Sequence, residues 1–351
     1  MSISRSRAAV ASISLVVLSI MTFVASIVPA PYVVQSVGPT VDVLGEIDGA
    51  PVISVEGRAP ETTDGQLRLT TVAVQGSPGN SVQLPAVFMA FFDRTQAIVP
   101  VEALYPDTSD AVGTRLMNTV QMNSSQQEAI AAALEAQSIP YSTTVIIAGV
   151  RTDGPANGIL EAGDVITGVN GSTADSVEGY VDLVASAPAE NDVQMSVRRG
   201  SEDLTLAVPT VQEDGRTRMG VVLSQGFDFP VQVNFALESI GGPSAGLIFA
   251  LGIYDEMTPG DLTGGQKIAG TGTIDEHGTV GPIGGIRQKL VGARDDGADY
   301  FLAPADNCPE VVGYVPDGLT VYSVSTFEEA TLAVETIAGQ EELPYLTTCT
   351  Q

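Results

Sequence analysis

The chain has 351 residues, a formal net charge of −27 and no tryptophan. This charge argues against nucleic acid and anionic membrane surfaces as partners. One histidine and two cysteines cannot build a histidine-rich zinc site, and no metal or other cofactor is expected. The length allows two or three domains, each with its own core.

The first predicted element is an uncharged stretch from Ala8 to Val28, which follows Arg5 and Arg7. At 1.5 Å per residue such a stretch crosses a hydrocarbon core of about 30 Å. The sequence therefore predicts a cytoplasmic stub and single-pass membrane anchor over residues 1–31, with the remainder outside the cytoplasm. A cleaved signal peptide is the alternative.

Residues 32–141 alternate apolar and polar positions between glycine and proline breaks, which predicts a β-rich scaffold segment. Within it, residues 123–137 predict a helix that begins with a capping box at Ser124 or Ser125. No residue pattern in this segment points to chemistry.

Residues 142–211 contain a predicted strand, Val145–Val150, followed by the run Gly154–Gly171 and a predicted helix, Ser176–Ala185. This pattern resembles a PDZ domain of the type associated with bacterial proteases. The resemblance implies that an extended peptide end binds beside the helix, and position in the chain makes Tyr141–Thr144 the expected receiving loop. A spacer or lid over an active site is the alternative role.

A candidate nucleophile, Ser244, precedes an apolar run from Ala245 to Tyr254 that predicts a buried helix. Pro243 suits the first helical turn, because its missing N–H has no intrahelical partner there. Ser244 is therefore expected at a helix N-terminus, where free N–H groups stabilise a developing oxyanion.

A serine requires a base to become a nucleophile, and two residues are candidates. His277 lies in Asp275–Gly278, which predicts a surface hairpin turn. Lys289 has apolar neighbours such as Ile286 and Leu290, and burial there would lower its pKa toward the neutral form that accepts a proton.

The C-terminal part resembles the proteolytic domain of the Lon proteases. The matching stretches, in the family's order, are Gly242–Gly246, Gly270–Ile274, Gly278–Ile286, Lys289, Gly297–Ala298 and Leu302–Asn307. The resemblance implies a Ser244–Lys289 dyad, with Thr271 helping to position the lysine, and assembly into a homo-oligomer, a hexameric ring. The sequence departs from the family at Gly241 and Thr273, where acidic residues are common.

The ATP-driven unfolding domain usual in Lon proteins is expected to be missing. Gly260–Lys267 approaches a phosphate-binding loop, but Gln266 separates the glycine from the lysine. Without an unfolding motor, the expected substrates are peptides and flexible or unfolded proteins.

The two cysteines, Cys308 and Cys349, are expected to form a disulfide outside the cytoplasm, with two unpaired thiols as the alternative.

The predicted fold class is a multidomain α/β (α+β) protein with an N-terminal transmembrane helix. A Lon-type proteolytic domain is expected over residues 212–351. The predicted function is that of an ATP-independent, membrane-anchored serine endopeptidase. Two alternatives remain: a membrane-tethered PDZ adaptor with a silent protease fold, and an α/β-hydrolase that uses His277 as its base.

Overall fold

The computed structural model describes residues 2–58, 64–78, 80–105, 111–188, 191–213, 215–237, 241–339 and 347–349. Residues 340–346 and 350–351 of the predicted proteolytic domain lie outside this description. The helices are α1 (Ser2–Ile27), α2 (Leu84–Ala90), α3 (Val101–Leu104), α4 (Ala111–Ala136), α5 (Val177–Ala185), α6 (Gly246–Met257), α7 (Ile286–Asp295), α8 (Cys308–Val311) and α9 (Phe327–Ile337), with a 3-10 turn at Ala305–Asn307.

The strands of the first half are β1 (Pro29–Ala30), β2 (Tyr32–Asp42), β3 (Glu46–Ile47), β4 (Ala50–Pro51), β5 (Ile53–Val55), β6 (Gln66–Gln75), β7 (Val82–Gln83), β8 (Ala97–Pro100), β9 (Ser142–Val150) and β10 (Val165–Val169). Those of the second half are β11 (Val193–Arg199), β12 (Glu202–Val208), β13 (Val211–Glu213), β14 (Arg216–Arg218), β15 (Val221–Asp228), β16 (Val233–Phe235), β17 (Lys267–Gly270), β18 (Thr273–Ile274), β19 (Val280–Gly281), β20 (Tyr300–Pro304) and β21 (Thr320–Val324).

The chain divides into two compact units, residues 1–37 with 72–114 and residues 38–71 with 115–351. In the first unit, β2 pairs antiparallel with β8 from Tyr32 opposite Pro100 to Gln35 opposite Ala97. Its small core joins Val34, Val82 and Ala90.

The predicted transmembrane helix is wrong. Helix α1 forms over Ser2–Ile27, but no helix in the described part of the chain is long and apolar enough to cross a membrane. The prediction rested on the length of the uncharged stretch Ala8–Val28 and on the arginines before it. A span requires a helix of about 20 consecutive, predominantly apolar residues, and none in the described part of the chain qualifies. The observed fold class is mixed α/β.

The second unit contains parallel strands in the order β21, β20, β17 and β6. Ile268 of β17 lies opposite Tyr300 of β20 on one side and Leu67 of β6 on the other. Buried parallel strands require apolar side chains on both faces, and β20 is buried from Phe301 to Pro304. This sheet supports the ends of the loops that carry the candidate catalytic residues.

The core beside this sheet draws on segments that are far apart in the chain. Helix α6 is buried on every side, with Leu247 through Leu251 fully enclosed. Residues of the predicted scaffold segment pack into the same cluster, among them Ile53, Leu67 and Leu134. The elements before and after the PDZ-like region therefore build one core together.

A second, antiparallel sheet has the strand order β12, β11, β10, β9 and β15. Strands β9 and β15 pair from Val150 opposite Val221 to Ser142 opposite Asp228. Helix α5 packs on this sheet, and the Ser176 hydroxyl caps it by accepting from the Gly179 N–H. The sheet and helix enclose a separate core around Ile147, Val169 and Val197.

Helix α4 differs from the helix predicted over residues 123–137, because it begins at Ala111. Ser124 and Ser125 consequently lie inside the helix and form no capping box. The extension is stabilised by packing, since a Cβ on Gly149 of β9 would lie within 3 Å of Leu116 and Val120 side-chain atoms. Sequence-based start signals weigh only local residues and do not register this contact.

Candidate active site

Ser244 lies in a tight loop immediately before helix α6. The loop follows Gly242, which has a φ of +91°, and the helix begins at Gly246. The sequence had suggested that Pro243 occupies the first turn of this helix. In the structure Pro243 precedes the helix. The Ser244 carbonyl accepts hydrogen bonds from the Gly272 N–H at 3.0 Å and from the Thr271 hydroxyl at 2.9 Å. These bonds fix the half-buried serine at the edge of the sheet.

Lys289 lies in the first turns of helix α7, which starts after Gly285 in a left-handed conformation with φ +71°. Only 2% of the lysine is exposed. Its Nζ donates to the Ser244 Oγ at 2.8 Å and to the Thr271 Oγ1 at 2.7 Å. Burial lowers the pKa of Lys289 from 10.5 to about 7, because the ammonium form loses its hydration. At neutral pH, a large fraction of this amine is free to accept a proton.

Thr271 connects the two residues. It is fully buried between β17 and β18, and its backbone N–H donates to the Leu302 carbonyl at 3.1 Å. Its hydroxyl donates to the Ser244 carbonyl and accepts from Lys289. The structure thus brings together three side chains from separate segments: Ser244, Thr271 and Lys289. This arrangement can generate a serine nucleophile without histidine.

Residues 237–334 match the model of the Lon protease (S16) C-terminal proteolytic domain. Residues 118–210 match that of the PDZ domain. The chain therefore contains a Lon-type proteolytic domain and a PDZ domain.

The chain spans only part of the length of the curated Lon proteases that it matches. Lon protease 2 of Bacillus subtilis (strain 168) is 29% identical over 57% of this chain and 34% of its own length. The mitochondrial Lon protease homolog of Drosophila melanogaster is 35% identical over 25% of this chain and 9% of its own length. The PDZ domain of the SdrC-like protein from Listeria innocua is 26% identical, covering 23% of this chain and 92% of that one, with a TM-score of 0.22.

His277 lies at the surface of the Lon-type domain. It sits in the turn between β18 and β19, its side chain is 72% exposed, and its ring nitrogens face Glu135 and Glu276. The backbone N–H of His277 donates to the Asp275 carboxylate, which holds the turn. This placement agrees with a surface turn residue and disfavours an α/β-hydrolase mechanism.

Thr273 and Gly241, the two departures from the Lon pattern, lie in a hairpin and at the surface. Thr273 pairs with Gly281 across the β18–β19 hairpin, and a Cβ on Gly281 would lie 2.4 Å from the Thr273 hydroxyl oxygen. Gly241 is exposed. Neither position contributes to the contacts among Ser244, Thr271 and Lys289.

Asn307 supports the lysine helix, a role that the sequence did not predict. It is buried, its Oδ1 accepts from the Ile283 N–H at 2.9 Å, and its Nδ2 donates to the Ile283 carbonyl at 2.9 Å. This pair of bonds holds the chain just before helix α7. The one available signal was its position after the buried strand β20, within the Leu302–Asn307 stretch.

The PDZ domain has a groove beside helix α5, but not at the expected loop. The prediction of Tyr141–Thr144 as the receiving loop is wrong, because Ser142–Thr144 forms part of β9 and pairs with Gly226–Asp228. Helix α5 instead packs near the edge strand β15.

A cavity of about 570 Å³ lies between α5 and β15. Its apolar side includes Val181, Val184 and Leu223, and Arg216 and Arg218 line it as well. The signal that sequence reasoning missed is the apolar–glycine–apolar run Met219–Val221, which leads into β15. This groove runs beside the outer edge of β15.

The two cysteines are paired in a disulfide, Cys308–Cys349. The bond joins the start of helix α8 to the C-terminal residues that extend the sheet. There the Ser323 N–H donates to the Thr347 carbonyl at 2.8 Å, and the Cys349 N–H donates to the Val321 carbonyl at 3.0 Å. The disulfide thus anchors this segment to the Lon-type domain.

Removing the disulfide is expected to destabilise the domain. The cysteines are 41 residues apart, and closing such a loop stabilises by about 4 kcal/mol in the chain-entropy model. The double variant Cys308→Ser/Cys349→Ser should therefore lose up to about this free energy of unfolding. Urea unfolding with and without reductant measures the effect, and the reduced parent should match the double variant. An unchanged midpoint after complete reduction would contradict the prediction.

Proposed function

We propose that the chain is an ATP-independent serine endopeptidase with Ser244 as nucleophile and Lys289 as general base. The observation that carries this proposal is the 2.8 Å contact between the Lys289 Nζ and the Ser244 Oγ inside an apolar environment. The match to the Lon-type proteolytic domain supports serine peptidase chemistry.

The neutral amine has one lone pair and two N–H groups. Thr271 Oγ1 accepts a hydrogen bond from one N–H, which leaves the lone pair able to face the Ser244 hydroxyl. As Ser244 Oγ attacks the peptide carbonyl, its proton passes to Lys289. The resulting ammonium then protonates the leaving amine, and an acyl-enzyme remains. Water attacks the ester, Lys289 accepts a proton from that water, and Ser244 is released with its hydroxyl restored.

The proposed substrates are peptides and flexible or unfolded proteins. No complete phosphate-binding loop occurs in the 351 residues, and the proposed hydrolysis of such substrates requires no ATP. The Cys308–Cys349 disulfide supports action in an oxidising compartment outside the cytoplasm. The ring assembly implied by the Lon resemblance stays a prediction, which sedimentation of the intact chain would test.

The PDZ domain is proposed to engage substrates or to regulate the protease. Support comes from the groove between α5 and β15, which combines apolar walls with arginines that suit a peptide carboxylate. Backbone groups along the outer edge of β15 can pair with an added strand, because β15 is the last strand of its sheet.

Digestion of casein by the intact chain without ATP tests the proposal. We expect the parent to cleave casein and both Ser244→Ala and Lys289→Ala to lose at least about 10²-fold of the rate. A parent that binds peptides without cleaving them would contradict the enzyme and favour the adaptor. Activity that survives Ser244→Ala would exclude this serine as the nucleophile.

A further inference from the structure

Ser125 of helix α4 contacts the nucleophile loop directly. It is 1% exposed, and its hydroxyl donates to the Pro243 carbonyl at 3.1 Å. The helix approaches so closely that a Cβ on Gly246 would lie 2.9 Å from the Ser125 Oγ. Glycine at 246 therefore permits the contact between α4 and the start of α6.

The loop is held from two sides. On one side the Ser244 carbonyl is bound by Gly272 and Thr271, and on the other the Pro243 carbonyl is bound by Ser125. The other donor to Pro243 within the loop is the Gly246 N–H, at a long 3.4 Å. Two consecutive carbonyls fixed in this way leave the serine little freedom relative to Lys289.

Helix α4 lies outside the residues 237–334 that match the Lon-type domain. The same helix is also attached to the PDZ sheet, where Asn123 Nδ2 donates to the Ala148 carbonyl at 2.9 Å. Gln127 Oε1 accepts from the Phe227 N–H of β15 at 3.2 Å. Positions 123 and 127 share one face of the helix, and Ser125 lies on the opposite face. Within five consecutive residues, the helix therefore contacts the PDZ sheet on one face and the nucleophile loop on the other.

We propose that Ser125 is a positioning residue for Ser244: its hydrogen bond to Pro243 sets the distance between the nucleophile and Lys289. This inference rests on the proposed peptidase function. Small displacements of a reacting group lower rates steeply, by about 10²-fold for 1 Å. A looser loop also admits water to Lys289, and hydration raises the pKa of a buried amine toward its ordinary value.

The experiment follows single-turnover labelling of the intact chain by a small fluorophosphonate, which reports nucleophile reactivity without peptide binding. The variants are Ser125→Ala, Ser125→Cys and Ser124→Ala. Cysteine keeps the side chain's size but is a weak donor. Ser124, the matched control, is the adjacent residue on the same helix.

We expect Ser125→Ala and Ser125→Cys to label roughly 10- to 100-fold more slowly than the parent. The pH midpoint of labelling should move upward, and with casein kcat should fall while KM stays unchanged. Ser124→Ala should match the parent. Glu128 lies on the same helix, and burial together with the nearby Glu276 and Asp275 raises its pKa to about 7 as well. Each series is therefore repeated in a Glu128→Gln background, so that titration of Glu128 is not mistaken for titration of Lys289.

Two outcomes are distinguishable. If the parent itself does not label at Ser244, the proposed function fails. If the parent labels and either folded Ser125 variant keeps its rate and pH midpoint, the positioning role is overturned while the peptidase stands. Thermal unfolding of each variant shows whether it is folded. If Ser125→Ala does not fold, Ser125→Cys provides the test, because cysteine fills the space of the serine side chain.

Discussion

Lys289→Met is expected to lower the rate of acyl-enzyme formation by roughly 10²- to 10⁴-fold and, at the same time, to stabilise the fold. Methionine has nearly the same length and no charge to desolvate. The difference between the pKa of 10.5 and about 7 corresponds to about 5 kcal/mol of unfavourable burial at low pH. Losing two hydrogen bonds, to Ser244 and Thr271, offsets part of this gain. We expect a net rise of about 1–3 kcal/mol in the free energy of unfolding at pH 7.

The chain offers a matched control for this variant. Its two lysines are Lys267 and Lys289, and Lys267 is exposed at the start of β17. Lys267→Met should retain activity and change stability by less than about 0.5 kcal/mol. Urea unfolding and casein cleavage measure both properties. An active Lys289→Met variant, or one that is less stable than the parent by several kcal/mol, would contradict the buried neutral base.

The second large effect is on pH dependence. A base works in its neutral form, so activity should rise with pH and reach half its maximum near pH 7, where Lys289 titrates. An ordinary lysine would give a midpoint near 10.4. Glu128 also titrates near pH 7, because burial and the neighbouring Glu276 and Asp275 raise its pKa. Glu128→Gln should leave the midpoint in place if Lys289 is the base.

Stability should follow the same titration. Between pH 7 and about 10.4 the unfolded chain holds a proton on Lys289 that the folded chain releases, so the free energy of unfolding rises with pH in this window. Below pH 7 both states carry the proton, and the burial penalty is fully present. The difference in free energy of unfolding between the parent and Lys289→Met, measured at each pH, separates the contribution of Lys289 from those of other titrating groups. Lysine-selective NMR of the two residues supplies the pKa directly, and a value near 10 for Lys289 would contradict the prediction.

Local patterns made Ser244 and Lys289 candidates, whereas their pairing and the role of Thr271 were implied by the resemblance to the Lon proteases. Short stretches of sequence are enough to recognise three features of the site: a serine before an apolar run, a Gly-Gly turn before a helix, and a lysine among apolar residues. Thr271, Ser244 and Lys289 meet because β17 and the starts of α6 and α7 converge at one edge of the sheet. Their catalytic roles stay predictions until activity is measured.

Other features depended on packing between distant segments and could not be predicted. The early start of α4 follows from its contact with Gly149, and the role of Ser125 follows from its contact with Pro243. Asn307 acts on Ile283, 24 residues earlier in the chain. The receiving loop was misplaced because the sequence does not state which strand pairs beside α5. The anchor was predicted from the length of one uncharged stretch and the arginines before it.

The most direct test of the Ser244–Lys289 dyad is covalent labelling with a fluorophosphonate, followed by peptide mapping of the adduct. We expect one adduct per chain on Ser244 in the parent, at a rate that increases with pH to a midpoint near 7, and almost none in Lys289→Met. Lys267→Met should label like the parent. An adduct on another serine, or equal labelling of Lys289→Met, would contradict the dyad.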